Sequence, residues 1–149
     1  MARNYLQGKF TPKNPNKYAG DVNNIVFRSS WERRAMVYFD DNSSILKWSS
    51  EEFIINYISP VDQRPHRYFP DFLIKYRTKG NEIKKAVIEI KPATQTKMPK
   101  KTKRITESYL EAVKTFNINL AKWSAAEKWC KENCMDFLII TEKELGLDK

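Results

Sequence analysis

The apolar positions along this chain change period several times, and each change marks an element. WERRAMVYFDD repeats at helical spacing, with Trp31, Ala35, Tyr38 and Phe39 as its stripe. Ser29 or Ser30 supplies an N-cap, and Asn42-Ser43-Ser44 ends the helix. ILKW and EFIINYIS then read as strands, with Phe53, Ile55 and Tyr57 on one face and Ile54 and Ile58 on the other. A turn from Pro60 to Pro65 leads into HRYFPDFLIKY, a strand that Pro70 assigns to an edge or a bulge. AVIEIK is apolar on both faces until Glu89, which predicts a central strand. Ile105 to Phe116 reads as a helix. INLAKWSAAEKWCKEN reads as a longer one, striped by Leu120, Trp123, Ala126 and Cys130. DFLII is a strand, and TEKEL opens a short helix with Thr141 as N-cap and Glu144 as its capping-box partner. The order is helix, three or four antiparallel strands, helix, strand, helix, with no internal repeat. It predicts one domain over residues 25–149, preceded by an irregular, basic arm over 1–24.

Two of these strands carry the chemistry. Side chains alternate faces along a strand, so Glu89 and Lys91 point one way while Ile88 and Ile90 point the other. Asp71 lies on the preceding run, and a turn around Lys79-Gly80-Asn81 pairs the two as an antiparallel hairpin. Asp71 and Glu89 then converge on one cation, with Lys91 beside it and the Ile90 carbonyl as a further oxygen donor. Hard carboxylates suit Mg²⁺ or Mn²⁺ rather than a soft metal. Glu32, in the first turn of the first helix, has two readings: compensation of the helix dipole, or a third carboxylate aimed at the cation. Glu51 and Glu52 are other upstream acids available for that place.

Charge points to a compatible substrate. Lys and Arg total 27 against 18 Asp and Glu, a net of +9, which favours a polyanion or an acidic membrane surface. No run approaches the ~18 apolar residues of a membrane span, and MARNYLQGKF lacks a signal peptide's apolar core. The expectation is an intracellular protein without a membrane partner. The stretch from Lys91 to Arg104 holds six basic residues and no acid, with Pro92 and Pro99 keeping it irregular. Lys97, Lys100, Lys101, Lys103 and Arg104 on that loop, with Arg64 and Arg67 near the preceding turn, are the candidate DNA contacts. A flexible solvated loop is the competing reading. Arg3, Lys9, Lys13 and Lys17 make the N-terminal arm basic; it reads equally as a DNA-following segment or a solvated tail.

Other chemistries lack their residues. Cys130 and Cys134 share one face of the predicted helix, but zinc needs four ligands and the only histidine, His66, is distant in sequence. Two reduced thiols are the simpler account. There is no Gly-rich phosphate loop and no Ser/His/Asp set, and His66 reads as a strand-surface residue or a phosphate contact.

FPDF at 69–72 followed by IEIK at 88–91, with Glu32 upstream, resembles the PD-(D/E)xK nuclease superfamily. Over roughly residues 10–145 the chain is similar to the head completion nucleases of T-even-like tailed phages, through PKNPNKYAGD, FRSSWER, YFPDF, EIKP, NLAKW and DFLIITE. It is also similar to the end-cleaving endonuclease subunit of heteromeric transposases. The resemblance implies an α/β, restriction-endonuclease-like core of αβββαβ order, with a mixed central sheet flanked by helices. It implies Asp71, Glu89 and Glu32 as metal-binding acids and Lys91 as the catalytic lysine. It further implies cleavage of DNA late in head assembly, in the host cytoplasm or on the virion, with capsid portal or neck proteins as partners. A non-catalytic capsid-vertex protein, and a junction-resolving or transposon-end-cleaving nuclease, are the alternatives. An acid cluster kept without function is destabilising, which weighs against the first.

Overall fold

The computed structural model describes residues 7–146, so Arg3 of the arm lies outside the described residues. The elements are β1 (Gly8–Lys9), β2 (Val26–Phe27), α1 (Ser30–Asp41), β3 (Ile45–Ser50), β4 (Ile55–Ile58), β5 (Pro65–Tyr68), β6 (Phe72–Arg77), β7 (Ile83–Ile90), α2 (Glu107–Glu132) and β8 (Asp136–Ile140). The central sheet runs β3-β6-β7-β8. The first three strands are antiparallel and β8 is parallel to β7, so the sheet is mixed. Taken without the two-stranded β1–β2 and β4–β5 pairs, the order α1, β3, β6, β7, α2, β8 is αβββαβ. β7 is central, and Ala86, Val87, Ile88 and Glu89 within it are buried.

One face of the sheet carries the main core. Trp48, Phe72 and Ile88 from the strands pack with Ala35, Met36 and Phe39 of α1. The α1 stripe is therefore Ala35, Met36 and Phe39; Trp31 is only partly buried and Tyr38 is exposed. The helix phase also buries Asp40, because its carboxylate accepts the backbone N–H of Lys13 at 2.8 Å and of Asn14 at 3.2 Å. These bonds, with buried Phe10 and Tyr18, fix residues 10–18 to the core. Over its described part the segment holds β1 and a 3-10 turn at Pro15–Lys17, and it packs on the core instead of forming a solvated tail.

HRYFPDFLIKY is two strands rather than one. Proline has no N–H to give a ladder, and buried Pro70 marks the point where the chain leaves β5, paired with β4, and enters β6, paired with β3. The β4–β5 hairpin is covered on one face only, by α2. Ile55 and Tyr57 are buried against it while Ile54 and Ile58 face solvent. The two helical stretches after the basic loop are one continuous helix. Its buried stripe takes Asn119, Trp123, Ala126 and Cys130, leaving Leu120 exposed. Cys134 does not share a helix face with Cys130: it lies past the Asn133 cap with φ 56° and is exposed. TEKEL forms turns instead of a helix, although its capping bond is present, Thr141 N–H donating to Glu144 Oε1 at 2.8 Å.

Candidate active site

The β6–β7 hairpin forms through the expected turn, with Thr78 N–H donating to the Glu82 carbonyl at 2.8 Å and Asn81 in the left-handed region at φ 66°. Its register pairs Phe72 with Ile88, so the next step places Asp71 opposite Glu89. On the other side, Ser50 pairs with Phe72. One step further Glu51 N–H donates to the Asp71 carbonyl at 3.2 Å. Strand pairing thus sets Glu51, Asp71 and Glu89 side by side at one end of the sheet.

Glu32 joins them from α1. Ser29 Oγ accepts the Glu32 N–H at 3.1 Å, and the Glu32 carboxylate returns to the Arg28 N–H at 3.2 Å and the Ser29 hydroxyl at 3.3 Å. This cap locks the rotamer that points the carboxylate at the sheet. The same cap therefore also sets the direction of the Glu32 carboxylate. Carboxylate oxygens of Glu32, Glu51 and Asp71 lie within 4.8 Å of one another. Glu51 is the acid that the motif reading left open beside Glu52. Glu52 is turned away and accepts the Tyr18 hydroxyl at 2.9 Å.

Glu89 stands beside this trio, held by other partners. Its Oε1 accepts the hydroxyl of buried Tyr68 at 2.8 Å, and Lys91 Nζ lies 3.8 Å from its Oε2. Ile90 N–H donates to Asp71 Oδ2 at 2.7 Å, which fixes the Asp71 carboxylate. Arg28 forms an ion pair with Glu51 on the outer side. Tyr68 and Arg28 escaped the motif reading. Tyr68 is three residues before Asp71, but its role needs the break at Pro70, which turns the two onto different strands.

The electrostatics of the cluster are those of crowded, poorly solvated acids. Burial and the neighbouring Glu89 raise the Asp71 carboxyl well above the ordinary range. Burial also raises Glu32, with Glu51 adding to the effect. Burial keeps the Tyr68 phenol protonated, hence a hydrogen-bond donor to Glu89. Without a counter-charge, ionising Asp71 and Glu32 is costly. The all-oxygen donor set and its convergence therefore fit a hard divalent cation.

The basic candidates fall in two places. Arg64 and Arg67 lie on the β4–β5 hairpin, exposed, with the Arg67 guanidinium 5.9 Å from the Phe69 ring centroid. Lys97, Lys100, Lys101, Lys103 and Arg104 are exposed on the irregular loop after Lys91. The loop's start is tied down by Ala93 N–H donating to Glu142 Oε1 at 2.8 Å. His66 pairs with Asp62 at 2.8 Å on the hairpin. Lys122 of α2 was not foreseen, since helix lysines usually read as solvated surface. It sits over the rings of Tyr57 and Tyr68, at 5.9 and 5.7 Å, adding positive charge next to Glu89's partner.

A mixed four-stranded sheet with acids and a lysine converging at its end, between two flanking helices, defines an endonuclease of the restriction-endonuclease-like fold. The chain belongs to the TnsA-like endonuclease N-terminal family, which matches residues 42–142. That span contains Asp71, Glu89 and Lys91, while Glu32 precedes it. The chain is also 34% identical over 142 residues to the Head completion nuclease of Enterobacteria phage T4, covering 93% of this chain and 92% of that protein.

Proposed function

We propose that this protein is a divalent-cation-dependent endonuclease that hydrolyses phosphodiester bonds in DNA, using Mg²⁺ or Mn²⁺, and that it acts in completing phage heads. The observation that carries the chemistry is the meeting of Glu32, Glu51 and Asp71 within 4.8 Å, beside Glu89 and Lys91. The head-completion role rests on the similarity to the T4 protein. That similarity supports action in the host cytoplasm or on the virion, with portal or neck proteins as the proposed partners.

A phosphodiester resists attack because its own negative oxygens repel the nucleophile. A bound divalent cation neutralises charge developing on those oxygens and makes water a competent nucleophile near neutral pH. Asp71 and Glu89 hold the cation, with Glu32, Glu51 and the Ile90 carbonyl as the available further oxygens. Tyr68 fixes the Glu89 carboxylate by taking one of its oxygens, which leaves the other toward Lys91. Lys91, 3.8 Å from Glu89 Oε2, stabilises the pentacovalent transition state or orients the attacking water. Arg64, Arg67 and the basic residues from Lys97 to Arg104 contact flanking phosphates.

Purified protein should nick or cut supercoiled, linear or branched DNA with Mg²⁺ or Mn²⁺, and not in EDTA. Comparing the three substrates also separates a general endonuclease from a junction-resolving one. Undiminished cleavage in chelator would remove the mechanism.

A further inference from the structure

The register of the three antiparallel strands orders more than the acids. Lys47 of β3 pairs with Lys75 of β6, and Lys75 pairs with Lys85 of β7. Next along each strand on the same face come Ser49, Leu73 and Val87, and then Glu89 on β7, while Glu51 and Asp71 stand just past the end of β3 and just before the start of β6. Along the three strands a row of lysines is thus followed by a neutral row, and the acids stand at the strand ends beyond it. Lys47 and Lys85 are exposed and Lys75 half-buried, and all three line an open cavity of about 310 Å³ with Ala19, Ser49 and Leu73.

Like charges directly opposite one another destabilise a sheet. Here three stand in line, and among the described residues no acid is paired with them. Among the described residues the ion pairs are Arg28–Glu51, His66–Asp62 and Lys91–Glu89, none of which involves the row. Lys47 Nζ donates to the Asn16 carbonyl at 2.6 Å, which fixes its position without cancelling its charge. A local rule broken without internal compensation is the mark of a functional surface.

We infer that Lys47, Lys75 and Lys85 form a second DNA-backbone contact, on the same sheet face as Glu89 and separate from the loop after Lys91. This rests on the endonuclease reading above. Four residues of strand separate the two rows, about 13 Å at the usual rise per residue. That distance is a small number of phosphate spacings, so a DNA strand crossing the acids also meets the lysine row. The row itself spans two strand spacings, about 10 Å, wide enough to meet more than one phosphate. A protein partner with an acidic surface has no comparable reason to align with the catalytic row.

The test is a salt series of binding titrations with labelled duplex in EDTA, comparing wild type, the triple variant Lys47→Gln/Lys75→Gln/Lys85→Gln, and a charge-matched control, Lys114→Gln/Lys128→Gln/Lys131→Gln on α2. The row variant should bind more weakly, and its log–log salt slope should flatten by about 0.9 for each phosphate that the protein no longer neutralises. The control should retain most of the wild-type slope. Thermal melting of the row variant should be no lower than wild type, because repulsion has been removed. Should the triple variant not fold, Lys75→Gln and Lys85→Gln are read singly, each for one phosphate. An unchanged slope, or an equal fall in the control, overturns the assignment. Wild-type protein that neither binds nor cleaves duplex would instead count against the endonuclease reading itself.

Discussion

At the end of the central sheet, charge is placed atom by atom. Asp71 is held by one N–H at 2.7 Å, Glu89 by one hydroxyl at 2.8 Å, and Glu32 by its own helix cap. A few residues later the loop from Lys97 to Arg104 carries five cations, all exposed, and among the described residues none is in an ion pair. The two regions are neighbours in sequence and serve one proposed reaction, yet they obey different physics. In the first, geometry decides, because poorly solvated charges act strongly over short distances. In the second, number decides, because solvent screens each charge and only their sum is felt. Single substitutions should therefore be decisive at the sheet end and nearly silent on the loop.

The largest expected effect is at the acids. Asp71→Ala and Glu89→Ala should each abolish cleavage while the protein still folds. Asp71 also carries a pH signature. Its folded pKa is raised above the unfolded value, so the folded state binds the proton more tightly. Its contribution therefore makes the metal-free protein lose stability as pH rises from the ordinary carboxylate range, about 4, through the raised folded value. Glu32 acts in the same direction. Melting in EDTA should show a transition temperature that falls across that window. Asp71→Asn should flatten the fall and melt higher than wild type at neutral pH. A variant that melts lower there would mean that the acids stabilise the fold, and the site would not be a preformed place for a cation.

Next in size is Lys91. Its side chain is 3.8 Å from Glu89 Oε2, and its charge matters chiefly where the transition state gathers negative charge. Lys91→Ala should bind Mn²⁺ nearly normally by calorimetry while turnover falls by about two orders of magnitude, the scale of removing one electrostatic donor. Full activity in this variant would mean that the sheet end does not work through position as argued.

Those two regions were also unequally legible in the sequence. Strand alternation and one turn are enough to bring Asp71, Glu89 and Lys91 together, because the period of two and the hairpin register leave little freedom. The basic loop was legible from composition alone. What stayed hidden depended on long-range geometry. Glu51 becomes part of the cluster only when β3 pairs with β6, and Tyr68 reaches Glu89 only because Pro70 breaks one apparent strand into two. The phase of α1 was misjudged for a similar reason. Asp40 is buried by N–H groups some 26 residues away, and local hydrophobicity favoured Trp31 and Tyr38 instead. The packing of residues 10–18 was invisible in a segment whose charge and prolines resemble those of the loop; Phe10 and Tyr18 are the apolar anchors that the loop lacks at its exposed Lys97–Arg104 end.

The smallest expected effect per residue lies on the loop, where it must be summed to be seen. Removing any one of Lys97, Lys100, Lys101, Lys103 or Arg104 should change DNA affinity only slightly. Neutralising all five should weaken binding equally across sequences and flatten the log–log salt dependence, by about 0.9 for each phosphate left without its cation. Melting should stay where it was, since exposed charges contribute little to folding. The experiment also separates two uses of the loop. If it follows the DNA backbone, the salt slope falls and cleavage at moderate salt falls with it. If it docks on an acidic portal or neck surface, the five-fold variant cuts naked DNA as well as wild type, with an unchanged slope, yet fails in a head-completion assay. An unchanged slope would leave the contrast between position and number intact at the sheet end, while moving the loop's charge from the substrate to a protein partner.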